Sequence, residues 1–247
     1  MLDRIFYEYR LHWKSLLLTP LVISVLTMLY TGVQLLLHAS PARTFLMDIE
    51  ACLPLAASII ISSLIAREPV LELHMTLPAA YRNTGLLRLG LLLLTFGLCA
   101  CLSLGVVRML DFWFLPRFIL SWSPAAQWGI NQLIWLAPLL WFSAAGLCLT
   151  MITKNSAVSS GILAGIWLSE LVLWGPFLNT PWLRALYPFP TTMWIYQGPG
   201  ISLPEWFFDP VWLYSRLEML ALASGLFFMG WLLLHHLEGL LKGTTAA

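Results

Sequence analysis

The densest set of chemically competent side chains in this chain lies in REPVLELHMTLPAAYRN, residues 67–83. It holds Arg67, Glu68, Glu72, His74, Arg82 and Asn83 between two long apolar blocks, in a protein with only 10% charged residues. Acids, bases and one imidazole over so short a stretch suit contact with a partner in water better than contact with lipid. Glu68 followed by Pro69 is a good helix start, because proline is tolerated in the first turn and an acid suits the positive end of the helix dipole. Val70 to Leu77 then make two helical turns, and Pro78 stops them. Val70, Leu73 and Leu77 share a face, with Leu71 beside it and Glu72 on the other side.

A second set of polar residues lies within apolar sequence. Glu170 falls well inside one apolar block, and Asp48 and Glu50 sit near the end of another. A charge there costs about 2.5–3.5 kcal/mol on insertion scales, so each needs a partner, a proton or water. For Glu170 one reading is a bond within the bundle to a nearby Trp, Ser or Arg; the other, a pathway role, follows only from the resemblance given below. His235, His236 and Glu238 can form a metal or proton site, and a helix that simply ends at the headgroups explains them equally well. Ala157, Gly161, Gly165 and Ser169 recur every four residues, a spacing that permits close backbone approach. That stripe serves either packing within one bundle or contact with a partner subunit. The cysteines Cys52, Cys99, Cys101 and Cys148 all fall in apolar blocks and read as small buried side chains.

Several motifs are missing. There is no GxxxxGK[ST] phosphate loop, no HExxH, no CxxC pair and no GxSxG. The chain is therefore not expected to hydrolyse ATP, or to act as an enzyme, by itself. A net charge of +1 gives no reason to expect nucleic acid.

The elements that hold these residues are apolar blocks about twenty residues long. Apolar residues make up 60% of the 247, and mean hydropathy is +0.82; a soluble domain averages roughly 45–50% apolar. The blocks are continuous rather than alternating, which predicts helices rather than a barrel. The expected fold is an all-α integral membrane protein, one domain over 1–247, with six spans at about Leu16–Leu37, Phe45–Ala66, Leu86–Val107, Gln132–Ile152, Ala157–Leu178 and Trp212–Leu234. Pro20, Pro54 and Pro138 lie within spans, where they are tolerated and can kink the helix. Before the first span, residues 1–15 read as an amphipathic interfacial helix with Ile5, Tyr9 and Trp13 on one face, or alternatively as an extension of that span. No cleavable signal peptide is expected.

Lysine and arginine set the predicted orientation. With the N-terminus cytoplasmic, Arg4, Arg10, Lys14, Arg67, Arg82, Arg88, Lys154 and Lys242 lie inside. Arg43, Arg108, Arg117 and Arg184 lie outside, with Arg216 in the sixth span near its outer end. The bias places both termini in the cytoplasm of a multi-pass plasma-membrane protein. The outer connections 108–131 and 179–211, rich in Trp, Phe and Pro, read as short helices or re-entrant pieces packed on the bundle.

With the spans placed, the segment from Leu71 to Pro78, LELHMTLP, resembles the cytoplasmic coupling helix of ABC transporter permeases of the type-two exporter class, which often reads E-(x)-G-T-L-E-L-L-L-T-L-P. The Leu-Glu-Leu and Thr-Leu-Pro parts match; Pro69-Val70 replace Gly-Thr, and His74 and Met75 replace leucines. The likeness extends to six spans, the amphipathic N-terminal helix and the outer excursion between spans five and six. It implies a membrane subunit of an ATP-driven exporter of a hydrophobic or amphipathic molecule (drug, peptide antibiotic or lipid). Two such subunits, identical or paralogous, would pair, and each would dock an ATPase subunit through the coupling helix at 67–80. ATP and Mg would be bound by the ATPase and no cofactor by this chain. Glu68, Glu72, Leu73 and Leu77 would make the contact, flanked by Arg67 and Arg82. Glu170 and Glu50 would line the substrate pathway, and Ala157, Gly161, Gly165 and Ser169 the subunit interface. An intramembrane enzyme using His235, His236 and Glu238 or the outer acids, and a peptide-sequestering immunity or scaffold protein, are the competing classes.

Overall fold

The computed structural model describes residues 2–38, 41–66, 78–110, 116–195 and 211–244. These residues are helical almost throughout, with no strand among them. Five helices are long and apolar enough to cross a membrane: Phe6–Leu36, Ala42–Ile65, Thr84–Met109, Pro124–Thr153 and Val211–His235. This is the architecture of an all-α, multi-pass membrane protein.

The N-terminal segment α1 (Leu2–Trp13) does not end before the first span. It passes through a π turn at Lys14–Leu18 into α2 (Thr19–Leu36) as one continuous helix. The second span has the same plan: α3 (Ala42–Met47), a π turn at Asp48–Cys52, then α4 (Leu53–Ala66). Each π turn ends two residues before a proline, Pro20 and Pro54. A proline cannot donate to the carbonyl four residues back, and its ring crowds that oxygen. Widening the preceding turn relieves the clash without breaking the helix. The prolines thus produce local π turns rather than free kinks.

The third span is α5 (Pro78–Met109), a single helix of 32 residues. The fourth joins α6 (Pro124–Asn131), capped by Ser123, to α7 (Leu133–Thr153). Lys154 then takes the left-handed conformation at φ 53, and Asn155 caps α8 (Ser156–Val172) by accepting from the amides of Ala157 and Val158. The predicted fifth span, Ala157–Leu178, is not continuous. It breaks at Leu173 and resumes as α9 (Trp174–Asn179). Pro176 accounts for the break, since its ring would meet the Val172 carbonyl. The 17 residues of α8 are at the lower limit for a span. A 3-10 turn (Pro181–Leu186) and α10 (Pro190–Ile195) follow, and α11 (Val211–Thr244) closes the chain.

The second span packs between α7 and α8, and α7 also lies along α11. At one end, called proximal here, Leu64, Gly85, Arg88, Met151 and Leu234 border a common apolar cleft. Glu8 joins them through Arg88, whose Nε donates to Glu8 Oε2 at 2.8 Å. The opposite, distal end holds the segment 181–195.

Candidate functional site

The distal half contains a polar cluster enclosed by the bundle. Its base is the π turn of the second span, which turns Asp48 and Glu50 toward different neighbours. Glu50 is fully buried. Its Oε1 accepts the Thr191 amide at 3.1 Å; its Oε2 accepts the Thr192 amide at 2.6 Å and the Thr192 hydroxyl at 2.5 Å. Pro190 opens α10, so the amides of Thr191 and Thr192 are first-turn donors with no partner in their own helix. A carboxylate from another span satisfies them.

The counter-charge is Arg216 of α11, also fully buried, whose Nη2 donates to Glu50 Oε1. The same Nη2 donates to Thr191 Oγ1 at 3.0 Å, and Nη1 donates to the Pro188 carbonyl at 2.9 Å. Trp212, one turn earlier, donates its indole N–H to Thr191 Oγ1 at 3.0 Å and lies 5.8 Å from the guanidinium. Three parts of the chain, the second span, α10 and α11, therefore meet at one carboxylate.

An aromatic wedge holds this segment in place. Phe189 packs against Phe142, Trp167 and Tyr187, and Tyr187 against Phe177. Trp167 donates its indole N–H to the Ala51 carbonyl at 3.2 Å, which ties α8 to the second span beside Glu50.

Glu170 lies in the same half on α8, 1% exposed, with no hydrogen-bond partner for its Oε2. The Tyr187 hydroxyl is buried without a partner too. Burial pushes the Tyr187 phenol up from its ordinary range. Asp48 is buried with both carboxyl oxygens unpartnered.

No family model, curated protein or solved structure matches this chain. Its chemistry must be read from its own residues.

The two predicted pathway acids, Glu50 and Glu170, do fall in one half of the bundle, but in different surroundings: Glu50 is fully hydrogen-bonded and paired, Glu170 is not. The stripe residues Ala157, Gly161 and Gly165 lie on an exposed face of α8, and Ser169 is half-buried with its hydroxyl returned to the Ile166 carbonyl. Arg67, Glu68, Glu72, Leu73, Leu77 and His74 lie outside the described residues. Arg82 is on α5, with its side chain outside the described set. His235 stacks on Trp231 at 5.8 Å, while the side chains of His236 and Glu238 lie outside the described set. Among the described residues no three His, Cys, Asp or Glu side chains converge as metal ligands. Cys148 donates its thiol to the Leu226 carbonyl, in keeping with a structural role.

Sequence reasoning missed Arg216 as the partner of Glu50, together with Thr191, Thr192 and Trp212. One signal was available: a single arginine in the sixth apolar block lies at the depth of the acids in the second. A lone charge inside a span calls for an opposite charge at its own depth.

Proposed function

We propose that the chain is the membrane-spanning permease subunit of an ATP-driven ABC exporter, moving a hydrophobic or amphipathic molecule across the plasma membrane. In this reading α8 and α9 together complete a sixth crossing, the proximal end faces the cytoplasm, and the segment 67–80 docks a separate ATPase subunit. A second permease subunit, identical or paralogous, completes the transporter.

The observation that carries the reading is the continuity of α5. This helix begins at Pro78, within the polar segment and directly after Leu77, and runs unbroken to Met109. Force applied to residues 67–77 would pass along a rigid rod into the bundle. The Glu8–Arg88 ion pair, with Arg88 also donating to the Leu64 carbonyl at 3.4 Å, links the N-terminal helix and the second span to that rod near its start. ATP-driven closure of a docked ATPase can then bias the bundle between two arrangements, provided its contact differs between them.

The test is co-purification with the candidate ATPase. Glu72→Ala combined with Leu73→Ala is expected to abolish it and to remove ATPase stimulation, while leaving the folded bundle intact. An undiminished complex in the double variant would remove the docking assignment, and the exporter reading with it.

A further inference from the structure

Among the described residues the distal half buries three carboxyls and one cation. Asp48, Glu50 and Glu170 are each at most 2% exposed, and Arg216 is fully buried. Arg216 is committed to Glu50. Neither Asp48 nor Glu170 is in an ion pair, and each has at least one buried oxygen without any partner. An isolated carboxylate in an apolar interior is far costlier than its neutral acid. Taking up a proton is the inexpensive solution.

Glu170 is the better defined of the two. The elements around it carry few other titratable groups. The helix α4 has no acid or base, and neither has α9. The π turn before α4 carries Asp48 and Cys52, and Glu50, which is paired. The helix α7 carries Cys148, bonded to Leu226. On α11 the Arg216 Nη atoms are occupied and only its Nε is unpartnered, while Glu218 is exposed. The preceding 3-10 turn carries Arg184, which has its own interactions. The group brought to this part of α8 is Tyr187, a second ionisable side chain that is also buried and unpartnered: it packs on Phe189, and Phe189 packs on Trp167, one turn before Glu170.

We propose that Glu170 and Tyr187 form a proton-binding site between α8 and the 187–192 segment, with Glu170 held as the neutral acid in this closed arrangement. The ligand is a proton, shared with the phenol through one buried water. A phenol is neutral and offers a carboxylate no counter-charge, so in this apolar surrounding the carboxyl is held as the neutral acid, which can both donate and accept. Ionisation would require more water beside the carboxylate, and that water can enter only if the segment carrying Tyr187, Phe189 and α10 moves off α8. Loss of the proton is therefore linked to loosening of the distal closure. This is a property of the bundle alone and stands independently of any ATPase.

The experiment uses the full chain in lipid nanodiscs. Infrared difference spectra between wild type and Glu170→Gln at neutral pH should contain the carbonyl stretch of one protonated carboxyl, because the isosteric amide removes it and leaves Asp48 in place. Raising the pH should abolish that band in the wild type. Hydrogen exchange of the amides of 187–192 should speed up over the same pH range in the wild type and stay flat in Glu170→Gln. Tyr187→Phe keeps the acid, so it should shift the band without removing it, and it supplies the readout if the glutamine variant does not fold. The proposal is overturned by the absence of a protonated-carboxyl band assignable to Glu170, by a band that Tyr187→Phe leaves unmoved, or by exchange that does not follow the band.

Discussion

The distal and proximal halves of the bundle solve the same packing problem with different chemistry. Around the second span the distal half uses full charges: Glu50 and Arg216 from α11 close on the first turn of α10. The proximal half, apart from the Glu8–Arg88 pair between α1 and α5, joins the second span to α7 and α8 through neutral hydroxyls. Ser62 lies 3.2 Å from Ser159 and donates to the Ser58 carbonyl, and Thr150 donates at 2.7 Å to the Gly146 carbonyl and lies 3.0 Å from the Ser159 hydroxyl. These bonds link α4, α7 and α8 where Gly146 lets the backbones come close. The distal half must hold an irregular excursion that has lost its own backbone partners, which calls for a strong multivalent acceptor. The proximal half joins continuous helices whose backbones are already satisfied, so small side chains and weak bonds suffice.

The sharpest way to break this contrast is to unbalance the charged half. In Arg216→Met, Glu50 would keep its amide donors and lose its counter-charge. Removing one partner of a buried pair costs about 3–5 kcal/mol, largely because the other charge remains buried. Thermal unfolding in detergent should show that loss. Glu50→Gln combined with Arg216→Gln should lose clearly less than the single change, since the amide can still accept from Thr192 without a stranded charge. If Arg216→Met unfolds like the wild type, the pair does not hold the distal half.

The neutral half is tested by geometry rather than charge. A Cβ on Gly146 would lie 2.9 Å from the Ser58 carbonyl oxygen and 3.0 Å from Ile61 Cγ2. The first contact is with backbone and cannot rotate away, so α4 and α7 must separate. Overpacking of this kind costs about 1–3 kcal/mol. Gly146→Ala should lower the unfolding temperature by less than Arg216→Met does. It should also weaken the Ser62–Ser159 contact, visible as faster exchange at the proximal end of α8. Equal exchange in both proteins would mean that the hydroxyl cluster does not depend on the close approach.

How much of this was legible from the residues differs between the halves. Long continuous apolar blocks revealed five spans directly, the first to fourth and the sixth, because twenty apolar residues have few other uses. The fifth was read through its break at Leu173: apolar content carried the pattern across Pro176, although proline chemistry at that point was readable. The π turns were hidden behind the expectation that Pro20 and Pro54 simply kink their helices. They matter, since the turn at 48–52 sends Asp48 and Glu50 to separate environments. Glu50 and Arg216 are 166 positions apart. Each was visible as an intramembrane charge, but their pairing depends on how three elements stack, which a single sequence does not encode locally. Glu170 was legible as a problem, a charge without a partner, and the structure sharpens it by adding Tyr187.

The smallest expected effect gives the finest test of the comparison. Ser159 is the point where the proximal bonds converge, lying within hydrogen-bond reach of both Thr150 and Ser62. Ser159→Ala would remove one hydroxyl but leave Thr150 bonded to Gly146 and Ser62 bonded to Ser58, so no buried donor is stranded. Side-chain hydrogen bonds between membrane helices average about 0.6 kcal/mol and reach about 1.7 kcal/mol. The variant should fall near the lower figure, and adding Thr150→Ala to it should cost only what the Thr150–Gly146 bond contributes, because the bond between the two hydroxyls is already gone. A loss as large as that of Arg216→Met would show that the proximal hydroxyls act as a tightly coupled network, and the division between a charged distal clamp and a weakly bonded proximal seam would no longer hold.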